Sequence, residues 1–225
     1  MCRLKFRGKA VTKKLFWENQ YQVEFDATIT KIIGNSVVLD ATGFYPQGGG
    51  QVGDTGYLNG IRVVDTQPGE ETDIAHILEI KPFFSVGVLV HGKINWERRY
   101  KIMRLHSAAH IVYFLMQEVF GEDCKPASSG LLDEEKERSD YLFEEKLDEE
   151  KLKLVEEITN QIIKKGYEIK TWSENGKRYW KMELFPAMKC GGTHVKDSSE
   201  IGEIKVKRGK KPGKGKERIE ISLLP

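Results

Sequence analysis

Two pairs of side chains, each four residues apart, could bind a metal ion: His106 with His110, and Cys190 with His194. On a helix, residues i and i+4 share one face, close enough to hold a single ion. His106-Ser107-Ala108-Ala109-His110 lies in a helical pattern, so its two imidazoles project together. Cys190-Gly191-Gly192-Thr193-His194 reads instead as a turn, because two consecutive glycines leave the backbone free to fold thiol and imidazole toward one point. Neutral imidazole and thiolate are both zinc ligands, and Cys190 would bind only when deprotonated. Neither pair is specific alone, since histidines four apart are often incidental and a glycine turn can simply bury a thiol. Together they take three of the five histidines in the chain. The spacing predicts one zinc ion held by His106, His110, Cys190 and His194.

Two zinc chemistries are excluded by the residues around these ligands. The zinc-peptidase motif needs a glutamate directly after its first histidine as general base, and Ser107 stands there. The nucleobase deaminases need a Cys-x-x-Cys, which the chain lacks.

A long helix and a turn must carry the ligands, and the hydrophobic pattern supplies both. Ile102, Leu105, Ala109, Val112, Met116 and Val119 recur at helical spacing, with Gly121 as terminator. Leu152, Val155, Ile158 and Ile162 mark a second amphipathic helix ending near Gly166, and a third is expected within Met182–Met188, limited by Pro186. Before residue 93 the period is that of strands. Val23, Phe25, Ala27 and Ile29 alternate with polar neighbours, and Gly34-Asn35 reads as a hairpin turn before Val37-Val38-Leu39. Further short strands are expected at Ile61–Val64, Ile74–Ile80 and Val86–Ile94. After the helices, Ile204 and Val206, then Ile219, Ile221 and Leu223, alternate again. This order predicts an α+β protein. A small N-terminal β-barrel (residues 1–92) carries a glycine-rich loop, and a two-layer α/β domain with an antiparallel sheet and packed helices (residues 93–225) follows.

That loop, Gly43–Gly56, has six glycines in fourteen residues. Such a run lets the backbone approach a ligand and expose amide donors, though a plain turn between barrel strands is the simpler reading. It is neither a Walker loop nor a dinucleotide fingerprint.

Composition bounds the rest. With 39% hydrophobic and 31% charged residues, the chain is a folded globular protein rather than a disordered one. No apolar stretch is long enough for a membrane span or a signal peptide, so a cytoplasmic protein without membrane attachment is expected. Cysteines 2, 124 and 190 are too few and scattered for a disulfide framework. The net charge of +2 hides segregation: residues 133–150 hold ten acids and three bases, whereas residues 205–218 hold eight bases and one acid. The acidic stretch reads as a solvated helix face and its leading loop. The basic one centres on a flexible hairpin loop, in which Arg208, Lys210, Lys211, Lys214 and Lys216 could grip phosphates or merely face solvent. His76 and His91 read as ordinary barrel residues.

The combination of Gly43–Gly56 with its GGGQVGDTG core, Arg104-Leu105-His106-Ser107-Ala108-Ala109-His110, and Cys190-Gly191-Gly192-Thr193-His194 resembles the three signatures of the alanyl-tRNA synthetase editing domain, in order and in spacing. Arg138-Ser139-Asp140 resembles that family's smaller Arg-x-Asp element, and Arg218-Ile219-Glu220 its closing strand. The related threonyl-tRNA editing domain has a similar layout, but GGGQ and CGGTH point to the alanyl branch. The likeness covers nearly the whole chain and leaves no room for an aminoacylation domain. It therefore resembles the free-standing AlaX editing proteins, in their medium-length form.

What the resemblance implies is a zinc-dependent ester hydrolase acting on tRNA(Ala) mischarged with serine, or also glycine, that spares alanine. A site built to hydrogen-bond a serine hydroxyl can reject an analogue that lacks it. Candidate catalytic residues are His106, His110, Cys190 and Gln51. Candidate substrate contacts are Gly48, Gly49, Gly50, Gln51, Ser128, Ser129 and Thr193, and the basic loop would hold the acceptor-stem phosphates. Catalytic zinc usually keeps an open position, whereas four protein ligands would close the shell. A tRNA-binding module with a purely structural zinc is the reading that expects a closed shell, and a metal-dependent hydrolase of a small ester or amide is a separate alternative. Oligomeric state is not legible.

Overall fold

A computed structural model describes residues 11–70, 73–121, 124–128, 130–143 and 146–225. Their fold is α+β, in two compact units: residues 11–47 with 53–95, and residues 48–52 with the described residues from 96 to 225.

The first unit opens with a two-residue strand β1 (Lys13–Lys14) and a single helical turn α1 (Leu15–Glu18). Strands β2 (Glu24–Ile33), β3 (Ser36–Leu39), β4 (Ala41–Thr42), β5 (Gly56–Leu58), β6 (Ile61–Pro68), β7 (Ile74–Leu78) and β8 (Leu89–Ile94) follow. Six of them close an antiparallel barrel in the order β2-β3-β7-β6-β5-β8. Alternation in β2 turns Phe25, Ala27 and Ile29 inward, where they meet Leu39, Phe44 and Val90. Gly34, at φ 60°, makes the β2–β3 turn, pairing Ile33 with Ser36. His76 is buried between Thr42 Oγ1 (2.8 Å) and Val37 O (2.9 Å). His91 is exposed beside Asp26 and Glu24. Both are barrel residues, and neither belongs to the candidate metal-binding group found among the described residues.

The second unit is built on α2 (Trp96–Phe120), which ends where Gly121, at φ 97°, donates back to Gln117 O. Next come β9 (Leu131–Leu132), β10 (Glu137–Leu142) and α3 (Glu149–Lys165). Asp148 caps α3 and Gly166 closes it. Strands β11 (Ile169–Glu174), β12 (Lys177–Met182), β13 (Met188–Lys189), β14 (Ile204–Arg208) and β15 (Lys216–Leu223) complete it, with a 3-10 turn at Ser198–Ile201. They form two antiparallel sheets, β14-β15-β10-β9 and β11-β12-β13. Helix α3 packs on α2 and β14.

Two expectations are corrected. Met182–Met188 forms no helix. Arg178, Trp180 and Met182 alternate inward as a strand, and a tight turn closed by Phe185 N to Met182 O precedes Pro186. The acidic stretch is not all helix and loop either, for β10 runs through it, paired with β15 along Glu137–Leu142. No helix of the described residues is long and apolar enough to cross a membrane.

Candidate metal centre and its cavity

Helix α2 presents His106 and His110 on one face, with ring centroids 5.0 Å apart. The turn after β13 brings Cys190 and His194 against them. One donor atom from each of the four residues lies within 4.8 Å of the other three, and the three histidines are buried. Cys190 Sγ is 3.5 Å from His106 Nε2 and 3.2 Å from His194 Nε2. His110 Nδ1 is buried without a hydrogen-bond partner.

The outer ring nitrogens of His106 and His194 are held by specific partners. His106 Nδ1 lies 2.9 Å from Gln51 Oε1, which also accepts from Thr193 N, while Gln51 Nε2 donates to Thr193 Oγ1. His194 Nδ1 lies 3.2 Å from Ser107 Oγ, itself an acceptor from Val195 N. With Nδ1–H donating outward in both rings, each Nε2 lone pair faces the thiol. Gly192 must be glycine here: a Cβ would sit 2.2 Å from His106 Cε1 and 2.7 Å from Gln51 Oε1.

Burial sets the charge states. It lowers the His106 pKa to about 4 and takes His110 and His194 well below the ordinary value, their neighbouring imidazoles adding to the effect. All three are neutral and able to donate a lone pair. Burial likewise pushes the Cys190 thiol up to about 11, against a backbone N–H from Gly192 and the charge of Arg178. A divalent cation among these donors would favour the thiolate. Three neutral imidazoles, one thiol and an unpartnered buried nitrogen therefore fit a single metal ion.

Gln51 arrives from the glycine-rich run. Gly48 and Gln51 exchange backbone hydrogen bonds around Gly49 (φ 58°) and Gly50 (φ 91°), a two-residue turn that L-residues tolerate poorly. Leu132 N donates to Gly50 O and accepts from Val52 N through its own carbonyl, which ties the run to β9.

A cavity of about 190 Å³ opens beside the cluster. Of the substrate candidates, Gly49, Gly50 and Ser128 line it together with His106 and His110. Gly48, Gln51 and Thr193 do not, and the last two are buried with their polar groups bonded to each other. Ser129 lies outside the described residues. Sequence reasoning missed Glu137, Ser139, Tyr141 and Met188 in the lining. Their signal was a period-two alternation through an otherwise charged stretch. It also missed Trp180, fully buried with its ring edge-on to His110 at 4.7 Å, and the bridging role of Ser107.

The basic loop divides. Arg208 makes two hydrogen bonds to buried Glu217 (2.6 and 2.9 Å) and Lys211 adds a third at 3.1 Å. Lys210, Lys214 and Lys216 have no ion-pair partner among the described residues.

A six-stranded barrel and an α+β unit with a three-histidine, one-cysteine centre define the class of protein. Comparison with known proteins narrows it. Residues 6–98 match the family model for class II (A) tRNA synthetases, and residues 185–220 that for the second additional domain of threonyl and alanyl tRNA synthetases. An alanyl-tRNA editing protein AlaX-M from Pyrococcus horikoshii is 38% identical over 95% of this chain and 98% of its own length. Alanine–tRNA ligases from Methanococcus vannielii and Saccharolobus islandicus are 34% and 33% identical over 94% and 95% of the chain, which spans only 26% and 27% of their lengths. The chain belongs to the AlaX-M family of alanyl-tRNA editing proteins.

Proposed function

We propose that this protein is an alanyl-tRNA editing enzyme, a deacylase that acts in trans on tRNA(Ala) mischarged with serine, with glycine as a second substrate, and spares alanine. The observation that carries the reading is the four-donor cluster of His106, His110, Cys190 and His194 beside a small cavity. Family membership supplies the substrate class.

His106, His110, Cys190 and His194 would hold one zinc ion. Zinc there would supply Lewis-acid polarisation of an ester carbonyl or a bound water of pKa about 7. The chain's own residues do the rest. Gln51 and Ser107 orient two imidazoles, and buried Trp180 packs edge-on against His110. Ser128 brings a hydroxyl to the cavity, where it can pair with a serine hydroxyl and is left unpaired by alanine. Lys210, Lys214 and Lys216 are the loop residues free to meet acceptor-stem phosphates.

The test is release of serine from serine-charged tRNA(Ala), with and without a chelator, against alanine-charged tRNA(Ala). Serine released only in the metal-loaded state, with alanine retained, is the expected result. No release of serine would sink the reading. Binding of tRNA without hydrolysis would favour the structural-metal module, for which a closed four-ligand shell is the specific argument.

A further inference from the structure

Among the described residues Glu137 is the only carboxylate lining the cavity, and the mechanism above leaves it unused. Alternation along β10 turns Glu137, Ser139 and Tyr141 into the cavity, while Asp140 faces Arg218 on the other side of the sheet. Across the sheet Glu137 pairs with the buried apolar residues Leu132 and Ile221. An apolar residue is what packing at that position favours. Instead the carboxylate is 3% exposed. Its Oε1 accepts from Ser139 Oγ, and its Oε2 is buried with no partner. A buried carboxylate oxygen without a donor is costly and uncommon. Arg138, next in the chain, has its guanidinium 3.7 Å from Asp133.

We infer that Glu137, steadied by Ser139, forms a subsite for an ammonium group, the free α-amine of an aminoacyl ester. The inference rests on the reading of this cavity as the aminoacyl site. A single negative charge beside apolar walls attracts a cation more strongly than it would in water, and among the groups of an aminoacyl ester only the α-amine is cationic. Burial pushes the empty Glu137 carboxyl up to about 7, with Ser139 and Arg138 pulling against it, so an arriving ammonium would hold it ionised. The subsite makes the protein selective for a class of substrate. Esters with a free amine are accepted, whereas N-blocked esters, peptidyl-tRNA included, leave the carboxylate unpaired.

The probes are seryl-tRNA(Ala) and its N-acetylated counterpart, assayed on the metal-loaded wild type, Glu137→Gln and Ser139→Ala. The wild type should cleave the free-amine ester roughly 10- to 100-fold faster, the worth of one buried charge-assisted hydrogen bond. Glu137→Gln should bring that ratio close to one by losing activity on the free-amine ester alone, and Ser139→Ala should lower it in part. Equal losses on both esters, or an unchanged ratio, would overturn the subsite. If the wild type cleaves neither ester, the editing reading fails instead, and the subsite is read by binding of serinamide against N-acetylserinamide. A preference for the free amine that disappears in Glu137→Gln supports it; equal binding by the wild type overturns it.

Discussion

Gln51 Oε1 lies 2.9 Å from His106 Nδ1, so a residue of the glycine-rich run orients an imidazole of the candidate metal centre on a helix 55 positions further along the chain. Outer partners of metal-bound histidines typically carry about 10- to 100-fold in metal affinity. Gln51→Ala should therefore weaken metal binding by about that factor, measured by competition with a chromophoric chelator. An unchanged affinity would mean that packing alone holds His106.

Cys190→Ala removes the one thiol of the cluster while leaving three imidazoles. Metal content, measured by atomic emission after dialysis, should fall well below one ion per chain, and serine release should fall with it. Full activity in a metal-free variant would remove the ion from the chemistry.

The basic loop should show in salt dependence. Each lost phosphate contact lowers the log–log salt slope by roughly 0.7–0.9. Replacing Lys210, Lys214 and Lys216 with glutamine should flatten the slope for tRNA binding by about 2–3. Lys211→Gln should change it less, because that lysine is already paired with Glu217. A slope untouched by the triple change would leave the loop as a solvated face.

His76 makes the barrel sensitive to acid. Burial lowers its pKa from 6.5 to about 4 in the folded state, against the backbone hydrogen bond to Val37. The unfolded chain then binds more protons between those values, so stability is complete above pH 6.5 and is lost as pH falls toward 4. Urea unfolding at pH 7 and pH 4.5 should differ by about 2–3 kcal/mol more in the wild type than in His76→Gln. Equal differences would show that His76 does not set the acid limit.

Glu137 acts in the opposite direction. Burial raises its pKa from 4.5 to about 7, so the folded state holds a proton that the unfolded chain has released, and stability falls as pH rises through that window. Glu137→Gln should be more stable than the wild type by about 2–3 kcal/mol at pH 8, with the gain shrinking toward pH 4.5. Parallel melting curves across pH would show that the carboxylate carries no such cost.

The sequence alone was enough for most of the element types and for the four side chains that gather into one cluster. The i, i+4 pairs and the 3.6- and 2-residue periods are local properties, written in consecutive residues. Helix α2, helix α3, the β2–β3 hairpin and the β14–β15 pair were all legible for that reason, and the closed barrel followed from short strands with turn residues between them. Met182–Met188 misled because a short apolar run fits either period, and only pairing with β11 and β13 made its start a strand. The cavity was not legible. Gln51, His106 and Thr193 meet across as many as 142 positions, and Glu137 is hidden among ten acids until strand register turns it inward. Which carboxylate is buried, and which lysine is already paired, depends on long-range packing that removes water from one side chain and leaves its neighbour exposed.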